Sequence, residues 1–194
     1  MNRLWIVPAA LFLTVGVASA QTPAPAPAAA PAPVSLTDGL KRGWNGVKQN
    51  VTESADKMTE ENYGFKPTPE VRSFGEVVDH IIEGNWFYCS SAKGEAPPKA
   101  ATEKHTTKAD LVKALNESFA ACDAVFNTLT DQALLEKVKN GQRETARGVF
   151  VAGVIAHVNE HYGNLVTYMR LKGMVPPSTE RAQKAAAAKK PSQN

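Results

Sequence analysis

The segment Phe150-Val151-Ala152-Gly153-Val154-Ile155-Ala156-His157-Val158-Asn159-Glu160-His161-Tyr162-Gly163-Asn164-Leu165-Val166-Thr167-Tyr168 carries the pattern that decides the fold. Phe150, Val154, His157, His161, Leu165 and Tyr168 recur at steps of three and four, which gathers them on one side of a helix with 3.6 residues per turn. A helix is expected over residues 145–172, stopped by Gly173 and then by Pro176-Pro177. His157 and His161 lie only about 40° apart on that cylinder. Both imidazoles therefore point along the stripe that must face an interior.

Three more such stripes precede it. Leu40, Trp44, Val47, Val51 and Ala55 mark a first helix over residues 36–58. Ser73 with Glu76 three residues on is a capping box that opens a second, running to about Lys93 and ending at Gly94. Thr107 with Asp110 opens a third, carried through Leu111, Leu115, Phe119, Cys122 and Phe126 to residue 129. A short helical turn is expected over 131–138, then a break at Asn140-Gly141. Few runs alternate at period two, so sheet is not expected. Helices with one apolar stripe each bury it by packing together, which predicts an all-α four-helix bundle. Residues 95–106 reach about 40 Å when extended, so the second and third helices need not be an antiparallel pair.

Working outward to the termini, residues 1–20 carry Arg3, an apolar run and the small-x-small close Ala18-Ser19-Ala20. This is the pattern of a signal peptide cleaved near Ala20, and it predicts export to the periplasm or medium. Residues 21–35 are Pro/Ala-rich and expected to be an extended linker. Residues 36–178 form the expected domain, and 179–194 a Lys/Ala-rich tail expected to be disordered. No segment is long enough to span a membrane. The chain holds 22 basic and 19 acidic residues, a net charge of +3. With Arg3 removed, and the tail's four basic and one acidic residue set aside, the body is left at −1. A basic stripe on the folded part is missing, which argues against a nucleic-acid partner.

The four histidines are His80, His105, His157 and His161. Two neutral imidazoles buried without partners are costly, and two readings answer that cost. In one, His157 and His161 are hydrogen-bonded to neighbouring side chains. In the other they ligate a metal ion, and His80, on the helix face shared by Val77, Gly84 and Phe87, adds a third nitrogen. Three nitrogens leave an open position, the arrangement of a catalytic site and not of a closed structural one. The segment is not the zinc-protease motif, because Val158 stands where that motif has its Glu. His105 falls in the polar linker beside Lys104.

The run Ser73-Phe74-Gly75-Glu76-Val77-Val78-Asp79-His80-Ile81-Ile82-Glu83-Gly84 resembles the first signature of the DinB-like (YfiT-type) superfamily. The stretch from His157-Val158-Asn159-Glu160-His161-Tyr162-Gly163 to Gly173-Met174-Val175-Pro176-Pro177 resembles the second. The resemblance spans residues 36–178. It implies a four-helix bundle with a long crossover between helices 2 and 3, and a divalent metal, zinc or nickel foremost, held by His80, His157 and His161. It further implies a metal-dependent hydrolase of unassigned substrate. Two alternatives stay open: a thiol-dependent S-transferase, disfavoured because cytosolic thiol cofactors are scarce outside the membrane, and a non-catalytic bundle that binds a small ligand or a protein. A homodimer is left open as well.

Asn159 and Glu160 are expected to face solvent, and Trp86, Phe87 and Tyr88 to serve the core. Cys89 and Cys122 each lie about fifteen residues into their helices. They would stand at similar heights if those helices run parallel, but diagonal placement would keep them apart, and two free buried thiols are expected.

Overall fold

A computed structural model describes residues 34–189. The expected leader, all but the last two residues of the expected linker, and residues 190–194 lie outside the described residues. Helix α1 (Leu36–Lys57) opens at Ser35, whose hydroxyl accepts from the Asp38 N–H at 3.0 Å. Helix α2 (Phe74–Lys93) opens on the full capping box, with Glu76 N–H donating to Ser73 and Ser73 N–H to Glu76. Helix α3 (Lys108–Asn127) is capped by Thr107. After the single turn α4 (Asp131–Leu135) come strands β1 (Lys137–Asn140) and β2 (Arg143–Ala146), then α5 (Arg147–Leu171) and α6 (Pro177–Ala188).

The four long helices pack in the cyclic order α1, α3, α2, α5. Asn85 meets Ser118 and Cys89 meets Cys122 at one constant offset, so α2 and α3 are parallel neighbours. The crossover between them, residues 94–107, returns the chain to the starting end. Trp44 meets Asp123 while Asp56 meets Lys108, so α1 runs against α3. The interior is one apolar cluster in which the Trp44 indole stacks on Phe126 with centroids 4.8 Å apart. Its Nε1 donates to Asp123 at 2.7 Å, so the buried indole N–H is satisfied. Among the described residues no helix is long and apolar enough to cross a membrane.

Three expectations need correcting. Cys89 and Cys122 form a disulfide, with Cα atoms 5.3 Å apart. The expected separation fails because α2 and α3 are adjacent and not diagonal. The break at Asn140-Gly141 is a hairpin turn: Lys137 pairs with Ala146 and Asn140 with Arg143. Gly141 at φ +60° occupies the first central position of the two-residue loop, where side chains are disfavoured. This hairpin also moves the start of the long C-terminal helix from 145 to Arg147. Finally, the tail expected to be disordered is helical through Ala188. Pro177 suits the first turn of α6, because its missing N–H would have no partner there. Arg181 reaches Glu53 and Asn50 on α1, and Glu180 accepts from Lys57 at 2.8 Å.

Candidate metal centre

The capping box fixes where α2 begins, and this places His80 two turns in. The loop ahead of it is pinned from several sides. Phe74 N–H donates to Phe65, Gly75 N–H to Tyr63, and the Tyr168 hydroxyl of α5 to the Arg72 carbonyl at 2.8 Å. Helix α5 runs antiparallel to α2, so that His157 and His161 arrive at the level of His80. The ring centroids are 5.0 Å (His80–His157), 4.8 Å (His80–His161) and 4.5 Å (His157–His161) apart. One ring nitrogen from each residue lies within 4.8 Å of the other two, an arrangement that can hold a metal ion.

The seam is tight at this level. A Cβ at Gly84 would overlap the His157 ring. Glycine in a helix interior costs about 1 kcal/mol relative to alanine, and here its bare backbone is what lets that ring lie against α2. Tyr88 of α2 in turn lies on Gly153 of α5, with its ring 5.7 Å from that of His157.

Hydrogen bonds select the tautomers. His80 Nδ1 faces Glu83 Oε2 at 3.3 Å, and His161 Nδ1 faces Asn164 Oδ1 at 3.1 Å. Both partners are acceptors, so each Nδ1 carries the proton and each Nε2 lone pair is bare. His80 Nε2 stands 3.3 Å from His157 Nε2. With its proton on Nε2, His157 donates to the bare His80 Nε2, and a bound cation would take the place of that proton. Among the described residues the buried His157 Nδ1 has no partner.

Burial, then the charges of His161, His80 and Arg72, pulls the His157 pKa down to about 4. Burial also leads in lowering His161, against the opposing pull of Asn164 and Glu160. Both rings are therefore neutral at pH 7. Three imidazoles are a donor set suited to zinc or nickel, and they fit such an ion here.

Two cavities flank the cluster, of about 540 and 550 Å³. The first is lined by His80, Asp79, Glu83, Lys104 and His105, the second by His161, Asn164, Val77 and Tyr168. Arg72 lines both. Several of these residues escaped the sequence reading. His105 does not float in the linker: its Nδ1 lies 2.9 Å from Asp79 Oδ1, beside His80 in the chain. Lys104 pairs with Glu83. Burial alone would raise the Glu83 pKa, but Lys104 and His80 bring it below the usual carboxylate value. Glu83 and Asn164 each sit three residues after a histidine, a spacing visible in the sequence. Asn159 and Glu160 are exposed, as expected, while Phe87, expected in the core, is 45 % exposed.

Known proteins share this frame. The family model described as the DinB superfamily matches residues 44–165, a span that contains all three histidines. The uncharacterized protein YjoA of Bacillus subtilis (strain 168) is 28 % identical over 131 residues, covering 64 % of this chain and 84 % of that one. Among solved structures, a DinB-like protein from Bacillus cereus ATCC 10987 superposes with a TM-score of 0.61 at 20 % identity, over 72 % of this chain and 95 % of that one. The YjoA crystal structure gives 0.57 at 22 % identity, over 71 % and 93 %. These structural likenesses speak to the fold. The matched family model and the helical bundle agree: the chain belongs to the DinB superfamily.

Proposed function

We propose that this chain is an exported metalloprotein that holds one divalent ion, zinc or nickel, through His80, His157 and His161, and that it hydrolyses a small ester, amide or lactone. The observation that carries this reading is the convergence of three ring nitrogens, two of them with the tautomer set by Glu83 and Asn164. When bound, such an ion supplies Lewis acidity that brings the pKa of water from 15.7 down towards about 7.

The chain's own residues do the rest. Glu83 and Asn164 hold the Nδ1 protons of two rings and so aim their Nε2 atoms, as partners of metal-ligating histidines do. Gly84 and Tyr88 hold the His157 ring between them. The two cavities give a small substrate access to the cluster from either side of Arg72. Export is supported by the small-residue close of the leader at Ala20 and by the Cys89–Cys122 disulfide, since such bonds persist in oxidising compartments.

Elemental analysis of protein purified from its own compartment tests the metal, and mass spectrometry of its N-terminus tests cleavage before Gln21. One ion per chain, absent from the triple alanine variant of the three histidines, is the expected result. An ester, amide and lactone panel then tests the reaction, with His157→Ala as control. Metal-free protein from the native source, or hydrolysis that survives His157→Ala, overturns the reading.

A further inference from the structure

We propose that Arg72 makes this site selective for a substrate bearing a single carboxylate, which the guanidinium receives beside the three histidines. The inference rests on the metal reading above and names the class of substrate for it. Its basis is a guanidinium left unpaired on the lining shared by both cavities. Around the two cavities Lys66 pairs with Glu76 at 2.9 Å, and Lys104 with Glu83 and with Asp79. Asp79 also holds His105. Glu70, the remaining acid in the lining, is held below the usual carboxylate pKa by its own backbone N–H first and then by the Thr68 hydroxyl, and it makes no ion pair among the described residues. Among the described residues the Arg72 guanidinium makes no hydrogen bond or ion pair; Arg42 and Arg143 are unpaired too, but neither lines the two cavities beside the histidines.

Arg72 is also held in place. Its carbonyl accepts from Tyr168 of α5, and the next residue, Ser73, is locked in the capping box. The guanidinium itself is exposed, so the backbone sets where it stands while a guest can reach it from solvent. It lines the cavity that reaches His80 and the one that reaches His161, so it stands over the cluster from the open side. An unpaired cation beside a site built to take a dication weakens that site by Coulomb repulsion. An anionic group bound between the two removes the conflict. Guanidinium matches the planar carboxylate with two parallel N–H donors. The acidic lining, with Glu70, Glu76, Asp79 and Glu83, disfavours a more highly charged guest, so one negative charge is preferred over two.

The test uses the full chain loaded with zinc and needs no substrate. Acetate and inorganic phosphate are titrated by NMR into wild type, Arg72→Gln and Arg72→Lys, and zinc affinity is measured against a chromophoric chelator. With the charge-assisted contact gone, Arg72→Gln is expected to weaken acetate binding about tenfold or more, and Arg72→Lys by less. Zinc stoichiometry stays at one, while zinc affinity rises several-fold in Arg72→Gln because a repelling charge is gone. Acetate binding equal in wild type and Arg72→Gln, or phosphate bound more tightly than acetate, overturns the proposal with the metal reading intact. Wild type that takes up no zinc overturns the metal reading and this inference together, and that result appears before any anion is added.

Discussion

Helix α2 presents two unlike seams. Towards α3 it is closed: Cys89 is bonded to Cys122, and Asn85 donates to the Ser118 hydroxyl, which in turn donates to the Leu115 carbonyl. Towards α5, one turn away, it carries a glycine pressed by the His157 ring, three converging imidazoles, and a buried ring nitrogen without a partner. The same helix thus anchors the bundle covalently on one side and gathers three imidazoles on the other. The difference teaches that the second seam's cost is carried by the first. Each seam leaves a buried side-chain atom without a partner, Asn85 Oδ1 beside α3 and His157 Nδ1 beside α5, so what separates the two is the means of closure: a covalent bond on one side and three imidazoles on the other.

The largest effect expected from that contrast lies on the closed side. A disulfide closing a loop of 33 residues removes about 3–4 kcal/mol of unfolded-state entropy. Replacing both cysteines by alanine is expected to lower the stability by that order in urea unfolding, with zinc stoichiometry unchanged. Loss of zinc binding without loss of stability would break the division between the two seams.

Next comes Gly84→Ala. In an unobstructed helix this change stabilises by about 1 kcal/mol. Here the added methyl meets the His157 ring, and overpacking of this kind costs about 1–3 kcal/mol. The metal-free variant is therefore expected to be less stable than wild type by urea unfolding, with zinc affinity down more than tenfold by chelator competition. A stabilised variant with unchanged affinity would mean that the ring is free to move aside.

Glu83→Gln probes the open seam more gently. Glutamine keeps an oxygen acceptor for His80 Nδ1 but loses the charge and the pairing with Lys104. Changing such a partner of a metal-ligating histidine costs 10–100-fold in affinity, and the lower end, about tenfold, is expected here. Thermal unfolding should move little, because Glu83 lies at the half-exposed mouth of the seam.

How much of this could be read from the chain follows from the range of each interaction. The four long helices, the Ser73–Glu76 capping box and the inward aim of His80, His157 and His161 are matters of local period and spacing. The disulfide depends on which helices are neighbours around the bundle, and no local pattern encodes cyclic order. The hairpin was hidden because Lys137-Val138-Lys139-Asn140 and Arg143-Glu144-Thr145-Ala146 are short and polar, although Asn140-Gly141 is itself a strong hairpin signal. Helix α6 is alanine-rich, yet what docks it is Arg181 on Glu53 and Asn50, more than 120 residues away. At the site, Glu83 and Asn164 could have been found by their spacing from His80 and His161. The pairing of His105 with Asp79 and the unpaired state of Arg72 could not, since both follow from the path of a loop across the helix.

The smallest effect tests whether the two seams respond separately. Glu76 closes the capping box, and the Ser73 N–H first, then Lys66, holds its pKa near about 2 instead of the usual 4.5. A carboxylate whose folded pKa is depressed contributes stability that is full above its unfolded pKa and is lost as pH falls through the folded one. The contribution should therefore be present at pH 7, decline below about 4.5 and be gone near pH 2. Because Glu76 is exposed to solvent, the size expected is only a few tenths of a kcal/mol to about 1 kcal/mol. Glu76→Gln should flatten that part of the pH profile of the urea midpoint. Fraying from the start of α2 reaches His80 within two turns, whereas Cys89 lies in a part of the helix tied covalently to α3. Amide exchange at pH 7 should thus quicken around His80 in Glu76→Gln and stay unchanged around Cys89. If both ends quicken together, α2 opens as one unit, and its two seams are one cooperative structure despite their different chemistry.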